Sequence, residues 1–104
     1  MRYEDSANGH QVDAKVKEEL EISLSEARTA GYRWVAKSLG DPVFQLLEET
    51  AQPNPVGVGG SGHHLWQFRA VAAGTGEFEF HYLRSWEDPE KPARTFILKV
   101  RVQA

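Results

Sequence analysis

The chain has 104 residues, a net charge of -3, 26% charged and 40% hydrophobic side chains, and no cysteine. One domain fits this length and two do not, and a chain of this size buries roughly 60–68% of its unfolded surface. The composition excludes a disordered chain, the charge argues against a basic nucleic-acid footprint, and the lack of cysteine excludes a disulfide framework, an iron–sulfur site and a thiol nucleophile.

Residues 1–10 show no periodicity and are expected to fray or be disordered, leaving 11–104 as a single domain. Gln11 to Val16 alternates, with Val12, Ala14 and Val16 on one side, and predicts a first strand. Leu20, Ile22 and Leu24 alternate with Glu21 and Ser23 and predict a second, although Val16, Leu20 and Leu24 also suit a helix. Ser25 to Gly31 is a polar connection too long for a two-residue turn. Tyr32 to Leu39 is the third strand and Gly40-Asp41-Pro42 a turn. Val43 to Glu49 reads equally as a strand or a short helix. Residues 52–62 hold two prolines and four glycines, so no regular element is expected there. His63 to Val71 resumes alternation with Trp66, Phe68 and Ala70 on one face. Glu77 to Arg84 turns Phe78, Phe80 and Tyr82 inward. Ser85 to Ala93 is a loop with two prolines, and Arg94 to Val102 closes the chain with Phe96, Leu98, Val100 and Val102 inward.

About seven strands, each with one wet face, are the pattern of antiparallel sheets that bury one side. Two such sheets packed together give an all-β, immunoglobulin-like sandwich, which suits a chain of about 100 residues. Alternation assigns Trp34 and Trp66 to the core. Alternate connections of a sandwich emerge at the same end, so the loops at 25–31, 53–62 and 85–93 are expected to share one pole. The turns near Gly40 and Ala73, at the other pole, are short and plain. Elaborate loops on a rigid scaffold suggest a binding pole.

The motifs in those loops resemble the chagasin family of cysteine protease inhibitors, small immunoglobulin-like domains that block papain-like proteases. Ala27-Arg28-Thr29-Ala30-Gly31-Tyr32, with Trp34 two residues on, stands where the family has N-P-T-T-G-[YF] and a Trp. Gly57-Val58-Gly59-Gly60 matches its G-x-G-G loop, and Arg84-Ser85-Trp86 its R-P-W loop. The likeness runs from about Val12 to Val102. It implies a reversible, competitive inhibitor that inserts three loops into the active-site cleft. Thr29, Ala30 and Gly31 would lie over the catalytic pair, and Arg28, also in the protease-binding set, would put a bulky cation at the tip of the wedge. Gly57, Val58, Gly59 and Gly60 would let backbone approach the cleft wall and pair as an added strand. Trp86 would anchor the contact with Arg84 in support, while Tyr32 and Trp34 shape the loops from beneath. The implied partner is a papain-like cysteine protease, the host's own or foreign, bound by a monomer.

Plainer readings stand beside these. The Gly-rich stretch also fits a linker-like loop, and Trp86 also fits packing back on the sandwich edge. The alternative function is an immunoglobulin-like protein-binding module with weak or lost inhibition. His63 and His64 are adjacent on a strand, so they face opposite sides and do not share a metal, and a catalytic zinc needs three convergent ligands. Glu87 and Asp88 read as a solvated pair. No nucleophile elbow, phosphate loop or dinucleotide fingerprint is present. No enzyme activity, metal or cofactor is therefore expected. No apolar run reaches the ~20 residues of a membrane span, and Met1 to Gly9 has no apolar signal core. The compartment stays open: cytoplasmic for the chain as it stands, periplasmic or secreted if a signal has been removed.

Overall fold

A computed structural model describes residues 1–52 and 62–104. Among these, eight strands form two four-stranded sheets. They are β1 (Arg2–Tyr3), β2 (Gln11–Lys15), β3 (Glu19–Glu26), β4 (Tyr32–Leu39), β5 (Phe44–Gln52), β6 (Gly62–Ala70), β7 (Gly74–Arg84) and β8 (Arg94–Gln103). One sheet has the order β1-β3-β6-β5 and the other β2-β8-β7-β4. The all-β, two-sheet architecture is the one the alternation predicts.

The inward residues of each strand meet in one core. Leu20, Ile22 and Leu24 from β3 and Trp66 and Phe68 from β6 face Phe78 and Phe80 from β7 and Phe96, Leu98 and Val100 from β8. All ten are at most 2% exposed, so they supply the main hydrophobic stabilisation of a sandwich that has no disulfide. Trp34 and Trp66 are buried as the alternation requires.

Three features differ from the sequence expectation. The first ten residues are built into the sandwich rather than frayed. β1 pairs in parallel with β3, Arg2 opposite Glu21. A 3-10 turn at Asp5–Ala7 follows and buries Ala7. The Asn8 side chain accepts the Ile97 N–H at 2.8 Å, and Gly9 N–H donates to Ile97 O at 2.7 Å. The terminus thus crosses from one sheet to the other and is strapped to both. Second, the pairing is not wholly antiparallel, because β2 also runs parallel to its neighbour, with Val12 opposite Val100 and Ala14 opposite Val102. Third, the segment that reads as strand or helix is the edge strand β5. Its register against β6 shifts between Leu46 and Glu48. The register step marks a bulge of one extra residue; Leu46 and Leu47 beside it are 37% and 39% exposed and lie outside the core.

Strand register fixes which connections share an end. Glu26 at the close of β3 lies opposite Gly62 at the start of β6, and Gln52 at the close of β5 lies opposite His63. In the other sheet Tyr32 lies opposite Arg84 and Tyr82 opposite Arg94. Two hydrogen bonds tie these ends across the sandwich: Trp34 Nε1–H to Ser25 O at 2.8 Å and Ala27 N–H to the Tyr82 hydroxyl at 2.7 Å. Six strand ends therefore meet at one pole.

Candidate functional site

The first connection at that pole is a hydrogen-bonded turn. Residues 28–30 form a single 3-10 turn, with Ala30 N–H donating to Ala27 O at 3.1 Å and Gly31 N–H to Arg28 O at 2.9 Å. Gly31 ends it with φ +85, a left-handed conformation that costs glycine nothing. The backbone of Thr29 and Ala30 forms the crest of this turn.

Trp86, just beyond the end of β7, lies against Gly31. A β-carbon on Gly31 would collide with the Trp86 ring, with ring atom Cζ3 only 3.0 Å away. The indole is nonetheless 69% exposed. A large aromatic side chain held in place yet left in water is a typical interface anchor. It does not fold back on the sandwich edge.

A column of rings and cations holds Trp86 up. The Arg84 guanidinium sits 5.4 Å from the Trp86 ring centre and 4.7 Å from that of Tyr32. Tyr32 stacks on Tyr82 at 4.7 Å with an 11° angle between planes, and Tyr82 packs on Trp34 at 4.7 Å. Arg94 covers the far side, 5.5 Å from Trp34 and 5.7 Å from Tyr82. Arg84 is oriented by a two-pronged contact with Glu87, Nε to Oε1 at 2.9 Å and Nη2 to Oε2 at 3.2 Å. That contact holds the Glu87 carboxyl below the usual range and raises Arg84. Glu87 is thus an orienting partner of Arg84 rather than a merely solvated charge. Arg94 is held in turn by Asp5, Nη2 to Oδ2 at 3.1 Å, and Asp5 Oδ1 also accepts Ser25 N–H at 3.1 Å. The N-terminal strap therefore braces the pole.

Of the residues singled out by sequence, Arg28, Thr29, Ala30, Gly31, Tyr32, Trp34, Arg84 and Trp86 all lie at this pole. Tyr32 and Trp34 both pack on Tyr82, and the Trp34 indole N–H donates to Ser25 O at the end of β3. Gly57, Val58, Gly59 and Gly60 lie outside the described residues. Arg28 differs from expectation. Its side chain is turned back, with Nε bonded to the buried carboxylate of Glu26. It is not a free cation at the tip.

Glu26 and its neighbours escape the sequence reading. Glu26 is 1% exposed and His64 6%. Burial opposes ionisation of Glu26, but hydrogen bonds from Trp34 N–H, His64 and Arg28 outweigh it and hold the carboxyl below its usual range. The signal was present: the inward series Leu20, Ile22, Leu24 reaches Glu26 at the next step, and Trp66, Phe68, Ala70 extends back to His64. Among the described residues, no cluster of His, Cys, Asp and Glu side chains is placed to hold a metal, and no helix is long and apolar enough to cross a membrane.

The comparisons with known proteins agree with this fold. The cysteine protease inhibitor EhICP2 from Entamoeba histolytica superposes with a TM-score of 0.82 at 20% identity, over 98% of this chain and 93% of that one. Amebosin, solved in solution, gives a TM-score of 0.75 at 25% identity over 98% and 96%. PbICP-C, solved in complex with falcipain-2, gives 0.71 at 18% identity over 99% and 90%. No curated protein matches the chain. The model of the chagasin family of peptidase inhibitors, designated I42, matches residues 13–100. With that match over most of its length, the chain belongs to the chagasin family, whose members inhibit proteases and are not enzymes.

Proposed function

We propose that this domain is a reversible, competitive inhibitor of papain-like cysteine proteases, acting as a monomer through the pole that carries Gly31 and Trp86. The observation that carries the reading is Trp86, exposed yet fixed between Gly31 and Arg84. A Trp that enters a desolvated pocket typically contributes about 2 kcal/mol or more to an interface. The turn at 28–30 is already ordered by its own hydrogen bonds, so it loses little entropy on docking. Family membership supports the reading, as do a structural neighbour named as a cysteine protease inhibitor and another solved with falcipain-2. Inhibition is by occupancy, with no bond made or broken. Residues 57–60 join the same surface in this proposal, on the strength of their motif and of the strand ends Gln52 and Gly62 at this pole.

The test is steady-state kinetics of papain with the purified domain at several substrate concentrations. The expected result is inhibition that high substrate relieves and that dilution reverses. Full papain activity at micromolar inhibitor would overturn the proposal.

A further inference from the structure

Glu26 stands at a position of β3 that faces the core, and a buried carboxylate is retained only with partners that replace its hydration. Its partners come from three places. Oε2 accepts the N–H of Trp34 at 2.8 Å and faces His64 Nδ1 at 2.8 Å. Oε1 accepts Arg28 Nε. β4 is an edge strand, and its Trp34 N–H is taken up by a side chain from the opposite sheet. His64 is itself fixed, stacked on Trp66 at 4.0 Å and 6°, with Nε2 2.7 Å from Glu49 Oε2. One carboxylate thus joins β3, β4, β6 and the loop.

The loop needs such a tie. Ala27, which precedes the 3-10 turn, makes no side-chain cap, because it lacks the oxygen by which Asn, Asp, Ser or Thr secures a turn of this kind. Arg28, the first residue of the turn, also accepts the N–H of Gly31. Fixing Arg28 therefore fixes Gly31, the residue on which Trp86 rests.

We propose that Glu26 is the positioning residue of the inhibitory pole: from inside the sandwich it draws Arg28 back, sets the 27–31 turn and so places Gly31 beneath Trp86. This rests on the reading of that pole as the protease-binding surface. Arg28 acts through Glu26, as a strut rather than as a charge offered to the protease.

The test uses Glu26→Gln, Arg28→Ala, Arg28→Lys and the Glu26→Gln/Arg28→Ala pair. It reads amide hydrogen exchange at Ala30 and Gly31 in the free domain, and the inhibition constant for papain. Glu26→Gln and Arg28→Ala are each expected to speed exchange at both amides and to weaken inhibition by roughly tenfold, the scale of a lost charge-assisted contact. The double variant is expected to be no worse than either single one, because both remove the same tie. Arg28→Lys, which keeps a donor for Glu26, recovers part of the loss. Additive losses, or unchanged exchange in the Arg28→Ala domain, would overturn the inference. Arg28 is on the surface, so Arg28→Ala decides the matter even if Glu26→Gln does not fold. Should the wild-type domain leave papain active, the function proposal falls, while exchange at Ala30 and Gly31 still shows whether Glu26 sets the turn.

Discussion

Trp86 rests on the bare α-carbon of Gly31, so closely that no side chain fits between them. Two requirements coincide at Gly31, a left-handed backbone and a missing β-carbon. Gly31→Ala should therefore fail on both counts. The backbone term is about 1–2 kcal/mol of stability, and the new methyl pushes the indole from its seat. The expected result is a modestly lower melting temperature and a disproportionate loss of papain inhibition, with a shifted Trp fluorescence spectrum. Unchanged inhibition would mean that the position of Trp86 is immaterial.

Trp86→Ala separates function from fold in the opposite sense. Most of the side chain is in water, so stability should change by no more than about 0.5 kcal/mol. Inhibition should weaken by about 30-fold or more, the factor that corresponds to a 2 kcal/mol anchor. A urea melt and a papain titration on the same preparation check both halves.

The Tyr82 hydroxyl accepts Ala27 N–H at 2.7 Å, from β7 to the loop that follows β3. Tyr82→Phe leaves that N–H without its partner and should cost about 1–2 kcal/mol. The aromatic stack with Tyr32 and Trp34 persists in the variant. An unchanged urea midpoint would show that water replaces the hydroxyl at no cost.

Acid stability should report on Glu26. Its folded carboxyl titrates below the usual range, whereas in the unfolded chain it titrates near the ordinary value of about 4.3. The folded state therefore binds fewer protons in acid. The contribution of Glu26 is complete above about pH 4.3 and is lost as the pH falls through the lower folded value. Glu87 shifts in the same direction, but it lies in solvent and its pair with Arg84 is screened. The urea midpoint of the wild type should drop on acidification below that range, and Glu26→Gln should show a shallower drop. An identical acid slope in the two proteins would contradict the assignment.

Much of this was legible in the residue pattern. β4 spans Tyr32–Leu39, as its alternation predicts, and β6, β7 and β8 begin and end within a few residues of expectation. Long strands with one dry face announce themselves because period-two burial repeats many times. The N-terminal strap was not legible, because β1 has only two residues and the rest is held by contacts distant in sequence, such as Asp5 to Ser25 and Arg94. The strand character of β5 was hidden because Leu46 and Leu47, beside its bulge, both lie outside the core. The burial of Glu26 and His64 was not legible, because a charged or polar residue at a strand end usually marks the edge of the core. Here each satisfies the other inside it. The shared pole followed from connection order alone, but the seat of Trp86 on Gly31 needed coordinates.

The most direct measurement is the hydrogen-exchange footprint of the domain bound to papain whose catalytic cysteine is replaced by serine. The account predicts slowed exchange at residues 27–32 and 84–87, with residues 40–43 and 71–74 at the far pole unchanged. Protection at the far pole, or on the outer face of either sheet, with 27–32 and 84–87 exchanging as in the free domain, would contradict it.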